Sequence, residues 1–362
     1  VAWTDLFQGV VMFVLLAASL FIVAQHHGGF IEANQKILSV NPELFSRPGG
    51  TGKYTYGIWF SFMLLWFFCD PMFPQLFQRF FSARSRSTIA STMLFYPLIC
   101  TLVFFLPIAV GVLGHLSFPD LVGKEADKIL PLTMTLISGD FMAALVIAAG
   151  LAALMSTMDS QLLTLSSIFT RDILPLSGKF KGETSVSGRL FVICLSIAGL
   201  LLAYKPPATI LQIATQTFTG LAVLFPTVIF GLYLKKVFPA AALLSIVCGE
   251  GTMLLFYFKL LPTGFFLPVV WVMAVTFGVY LATHVALLGR SAEIAFRRPE
   301  WLGNRYLYLM GAIFILGMDY WAWDRAQPLI IGVPAWIGFF VLLSAVQTVG
   351  MIFMVRANGS RQ

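Results

Sequence analysis

The chain has 362 residues, 59% of them hydrophobic and only 11% charged, against about 45–50% and about 25% in an ordinary soluble domain. With a mean hydropathy of +0.88, it excludes a water-soluble globule and reads as an all-α polytopic membrane protein embedded in the lipid bilayer. The net charge of +7 does not call for nucleic acid as a partner, because the basic residues sit in short clusters between apolar spans rather than along one face.

Apolar spans of the roughly 20 residues needed to cross a bilayer are expected at about 5–24, 56–81, 89–113, 141–168, 187–204, 210–234, 240–258, 265–288, 306–323 and 333–355. That makes about ten transmembrane helices. Cytoplasmic loops carry the excess Lys and Arg. With the N-terminus inside, 15 of the 23 basic residues fall on inner loops and 8 on outer ones, so both ends are expected to be cytoplasmic. The chain opens on Val1 at the mouth of a hydrophobic span and reads as a piece of something longer.

Within the spans, each ionisable group needs an account, because an Asp at a helix centre costs roughly 2.5–3.5 kcal/mol on insertion scales. Asp5 begins the first span, where it serves either as a helix cap or as a site residue. Pro71 and Pro74, flanking Met72 and Phe73 after Asp70, remove two backbone donors and should break the second span. A broken membrane helix frees backbone groups for ligands, and Asp70 is placed to cap its second half.

The stretch 149–172 carries Ala153, Ser156, Ser160, Thr164 and Ser167 on one narrow helical arc, with Thr157 at its edge. Ala153, Ser156 and Thr157, at i, i+3 and i+4, present a carbonyl and two hydroxyls to a hard cation such as sodium. Taken alone, the seam fits close helix packing and bonds to its own carbonyls better. Asp159 lies off it. Gln212, Gln216, Thr217 and Thr219 form a further polar cluster, and Glu250 lies mid-span without an assigned partner. Cys69, Cys100, Cys194 and Cys248 read as apolar fillers. The four histidines give no metal pair, and no enzyme motif is present.

Four signatures, in matching order, resemble those of the sodium:solute symporters, the family of proline, pantothenate, sugar and iodide carriers. They are Ala2-Trp3-Thr4-Asp5 with Gln8-Gly9, and the stretch from Pro74 through Gln78-Arg79 to Ala83 and Ser85. The third runs from Ala152 through Ser156-Thr157-Met158-Asp159-Ser160 to Leu163 with Ser166-Ser167. The fourth is Gln216-Thr217-Phe218-Thr219-Gly220 with Phe225-Pro226 and Gly231 to Lys236. The resemblance implies a leucine-transporter-type bundle of five plus five inverted helices, and one transporter domain over 1–362. Core helices five to ten lie at about 1–236 and accessory helices at about 237–356.

By the same resemblance, Ala153, Ser156 and Thr157 become sodium ligands and Asp5 the carboxylate near the ion's inward exit. Trp66, Cys69, Asp70 and Gln216 face the solute. The family's first core helix is absent from the sequence, so the remaining N-terminal helices of the full-length protein count as partners. Cys69-Asp70 and the two prolines depart from a sugar-type pocket. The implied function is sodium-coupled symport of a small organic solute at the cell membrane, and the chain is not an enzyme. A membrane sensor module built on a symporter-like domain is the alternative.

Overall fold

Backbone groups in a hydrocarbon layer have no water to bond, so long runs of Leu, Phe, Val and Ala can only pay their hydrogen bonds internally, as helices. The computed structural model describes residues 2–50, 52–177, 184–288, 295–297 and 306–359. Their helices are α1 (Ala2–His26), α2 (Phe30–Val40), α3 (Tyr56–Cys69), α4 (Pro74–Ser82), α5 (Arg86–Gly114), α6 (Ile129–Ile168) and α7 (Thr184–Tyr204). Then follow α8 (Ile210–Ala222), α9 (Leu224–Tyr233), α10 (Pro239–Tyr257), α11 (Pro268–Leu288), α12 (Tyr306–Leu316) and α13 (Ala335–Gly359).

Eight helices among the described residues are long and apolar enough to cross a membrane. The pieces Tyr56–Met72 and Pro74–Ser82 pass the same test as one broken span, and Tyr306–Ala322 is a shorter apolar helix. Nine of the ten expected spans are met in this way among the described residues, and the one at about 306–323 coincides with the shorter helix. The chain is therefore an all-α polytopic membrane protein. Its only strands among the described residues are β1 (Leu329–Ile330) and β2 (Val333–Pro334), an antiparallel hairpin with Leu329 opposite Pro334. Of the basic residues in the charge tally, Lys179, Lys181, Arg290, Arg298, Arg305 and Arg361 lie outside the described residues.

Three breaks have local causes. The second span stops at Met72 and restarts at Pro74 because Pro71 and Pro74 lack the donors that the carbonyls of Phe67 and Asp70 would take. Phe73 between them is extended (φ −62°, ψ 115°). The sixth expected span divides into α8 and α9 because Pro226 cannot bond the carbonyl of Ala222, and the Val223 N–H turns back to the Gly220 carbonyl at 3.2 Å. In α6 the break is Gly139, whose φ of 78° is open to glycine at no steric cost. Residues before it, outside the ten expected spans, are helical as well.

The chain divides into two compact units. The first comprises Val1–Val40, Pro74–Ser82 and Leu102–Ile210, and the second Asn41–Phe73, Ala83–Thr101 and Leu211–Gln362. In the first, α1 and α7 lie along α6, and Phe169 stacks on Phe191 with centroids 4.2 Å apart and planes within 2°. In the second, α10 and α11 pack closely. A Cβ at Gly249 would collide with the Thr276 hydroxyl and with Val223, so only glycine permits that approach. The α3 face of Ser61, Leu65 and Cys69, spaced by four, is buried with Ala222, Val269 and Met273. The Ser61 hydroxyl accepts the Leu267 N–H at 3.0 Å and donates to the Gly57 carbonyl.

The second unit also encloses an ion pair that no sequence pattern announced. The Arg47 guanidinium donates through both terminal nitrogens to the two Asp319 carboxylate oxygens, at 2.6 and 2.5 Å, and both side chains are buried. Trp336, Trp59 and Trp323 surround the guanidinium with ring centroids 4.5, 4.7 and 5.3 Å from its carbon, which is cation–π range. Each indole N–H is tied down: Trp336 to the Phe45 carbonyl, Trp59 to that of Gly317 and Trp323 to that of Met318. The ring faces are thereby held toward Arg47.

Candidate functional site

The hydroxyl seam of α6 meets α1 and α4 at one carboxylate. Asp5 lies in the first turn of α1, and its Oδ1 accepts the Ser156 hydroxyl at 2.9 Å. Its Oδ2 takes Arg79 of α4 at 2.5 Å. The same Arg79 nitrogen reaches the Ser160 hydroxyl at 3.3 Å, and one turn on, Thr164 donates to Gln78 Oε1 at 3.0 Å. α4 is amphipathic: Gln78 and Arg79 turn to α6 while Phe80 and Phe81 stay exposed. The signatures around Asp5, Gln78-Arg79 and Ser156–Ser160 thus converge within one unit.

Where each seam hydroxyl sends its proton decides what the seam can bind. Ser160 donates to the Ser156 carbonyl at 2.7 Å, and Thr157 to the Ala153 carbonyl at 3.4 Å, the self-bonding that membrane helices commonly show. Ser156 is different, because its proton leaves the helix for Asp5. A hydroxyl has one proton and two lone pairs. With their protons committed, the Ser156 and Thr157 oxygens keep lone pairs for a cation, beside the Ala153 carbonyl. Three neutral oxygens, one of them hydrogen-bonded to a carboxylate, have the chemistry that suits a hard monovalent cation. Among the described residues no group of three His, Cys, Asp or Glu side chains could hold a metal ion.

One polar residue of the first signature, Gln8, has no role assigned from the sequence. Gln8, one turn after Asp5 on α1, has a buried Oε1 with no hydrogen-bond partner among the described residues. Its place in that signature is the one sequence signal that singles it out. Asp159, by contrast, is exposed.

The four residues expected to face a solute lie in the second unit, and Leu65 and Phe218 are neighbours of more than one of them. Trp66 is 41% exposed, with its ring 5.3 Å from that of Phe218. Cys69 is fully enclosed in the apolar cluster around Leu65. Asp70 begins the short 3-10 turn to Met72, and its carboxylate accepts the Tyr96 hydroxyl at 3.4 Å. Gln216 lines a small cavity with Thr215 and Thr219 of α8, Met253 and Tyr257 of α10, and Leu65. Thr217 and Thr219 bond carbonyls of their own helix. Glu250 is half-buried beside Gly220, where an added Cβ would sit 3.4 Å from its carboxylate.

Long apolar helices, one span among them broken, define the class: a polytopic membrane protein. The sodium:solute symporter family model matches residues 1–249, and the chain belongs to that family. It is 29% identical over 265 residues to the sodium/pantothenate symporter of Haemophilus influenzae, covering 70% of this chain and 53% of that one. It is 27% identical over 263 residues to the high-affinity proline transporter PutP of Bacillus subtilis, covering 70% and 54%. With the sodium/pantothenate symporter of Escherichia coli the identity is 28% over 256 residues, covering 68% and 51%. These relatives are transporters, not enzymes. The chain spans about half the length of the curated relatives it matches. No solved structure matches it.

Proposed function

We propose that the chain serves sodium-coupled symport of a small organic solute by alternating access, as one transporter domain with core helices five to ten at about 1–236. Sodium is cargo, held by the Ala153 carbonyl and the Ser156 and Thr157 hydroxyls, with Asp5 receiving it on the inward path. Trp66, Asp70 and Gln216 face the solute, and Cys69 supports them from the packed side. Relatives named for pantothenate and proline support a solute of that size class. Both ends of the chain are cytoplasmic in this reading, from the excess of basic residues on the inner loops.

One observation carries the reading: Asp5 accepts Ser156 and Arg79 together. Sodium beside Ser156 brings a second positive charge to the carboxylate that already holds Arg79, so ion occupancy and the Asp5–Arg79 pair compete. Coupling needs such a difference in affinity between states. In the whole gene product, Ser156→Ala and Thr157→Ala should each raise the sodium concentration for half-maximal solute uptake by roughly tenfold, the scale on which metal-site changes alter affinity. Unchanged sodium dependence in both variants removes the site assignment.

A further inference from the structure

The junction of α6 and α7 holds a groove that contains none of the residues assigned above to sodium or solute. At the end of α6 the helix opens into one π turn, Phe169–Ile173, a form often found at functional sites. Thr170 there donates to the Ser166 carbonyl at 2.8 Å. One wall of the groove carries Ser166, Ser167, Thr170 and Arg171, and the other Ser185 and Arg189. Gly188 is its floor, where an added Cβ would lie 2.7 Å from the Ser166 hydroxyl and 3.2 Å from the Thr170 methyl.

Lining residues sort by depth. Leu163 lies two turns inside Arg171 on α6, and Val192 and Ile193 lie one to two turns inside Ser185 and Arg189 on α7. The charged end therefore coincides with the helix ends, and the apolar end runs toward the bilayer interior. Leu163 and Ile193 are each 54% exposed, open to acyl chains. Arg171 and Arg189 are exposed, and neither enters an ion pair among the described residues.

We propose that this groove holds an anionic phospholipid, its phosphate between Arg171 and Arg189 and one acyl chain along Leu163, Val192 and Ile193. Arginine forks match phosphate oxygens in pairs. The Ser185 hydroxyl and the N-terminus of α7 add donors and positive potential. A soluble phosphate would leave the apolar half of the groove unused, whereas a phospholipid fills both ends. Basic pockets between membrane helices are a known mode of headgroup binding.

The test is native mass spectrometry of the full chain in detergent with phosphatidylglycerol or phosphatidylcholine of identical acyl chains. Each basic residue strengthens binding to anionic lipid by about fivefold, so the wild type should retain phosphatidylglycerol over phosphatidylcholine by roughly twentyfold. Arg171→Gln/Arg189→Gln should abolish that preference. Arg171→Lys/Arg189→Lys should keep most of it, and Arg356→Gln, at the end of α13, all of it. Both arginines are exposed, so the variants should fold. Equal retention of the two lipids by the wild type overturns the proposal, as does a preference that survives the double Gln change. Displacement of phosphatidylglycerol by an equal concentration of inorganic phosphate also overturns it, in favour of a soluble-anion site.

Discussion

Asp5 and Asp319 each hold an arginine, but in opposite surroundings. Arg79 is half exposed and reaches one oxygen of Asp5, while the other oxygen takes Ser156. Arg47 is 5% exposed, grips both oxygens of a fully buried Asp319, and is walled by three tryptophans whose N–H groups are anchored. A pair with its arginine half exposed and its carboxylate 13% exposed is partly screened by salt, so it opens more cheaply than a fully buried one. A buried pair cannot open without leaving an uncompensated charge. The first is suited to a switch and the second to a fixed joint.

The sharpest way to break the contrast is Asp319→Ala, which strands Arg47 in its cage. It should destabilise the protein by about 3–5 kcal/mol, seen as a large drop in thermal midpoint in detergent. Replacing both partners, Arg47→Met with Asp319→Leu, should recover most of the loss, since a buried pair exchanged for apolar groups is often neutral. Failure of the double variant to recover would show that the tryptophan cage, not the charge pair, holds the joint.

Arg79→Gln should cost about 1 kcal/mol or less in stability and yet alter the sodium dependence of uptake, because it frees Asp5. A thermal loss as large as that of Asp319→Ala would erase the distinction between switch and joint. The smallest expected effect is at His27, just past α1, whose Nε2 is buried without a partner among the described residues. Burial first, then the neighbouring His26 and Lys36, hold its pKa below the ordinary 6.5. The unfolded chain therefore takes up the proton first. His27's contribution is whole above about pH 6.5 and is lost as the pH falls below it. Thermal midpoints at pH 7.5 and pH 5 should differ less in His27→Gln than in the wild type.

The helix face on which the first unit's polar cluster lies was legible in advance. The spacing of Ser156, Ser160 and Thr164 placed them on one helix face, and each does reach toward α1, α4 or its own backbone. The proline pair at Pro71 and Pro74 announced the break, because a missing N–H is a property of the residue itself. Pro226 carried the same signal for the break between α8 and α9, which the hydropathy of 210–234 masked. That Ser156 would give its proton to Asp5, 151 residues away, was not visible from spacing. Nor was the partnership of Arg47 with Asp319, 272 residues apart.

Apolar length and proline position decided where this chain makes helices and where it must break them, because in a bilayer each segment has to satisfy its own backbone. Which polar side chains meet was left to the packing of helices distant in sequence. A carboxylate or guanidinium finds its partner only after those helices are side by side, and no local period encodes that encounter.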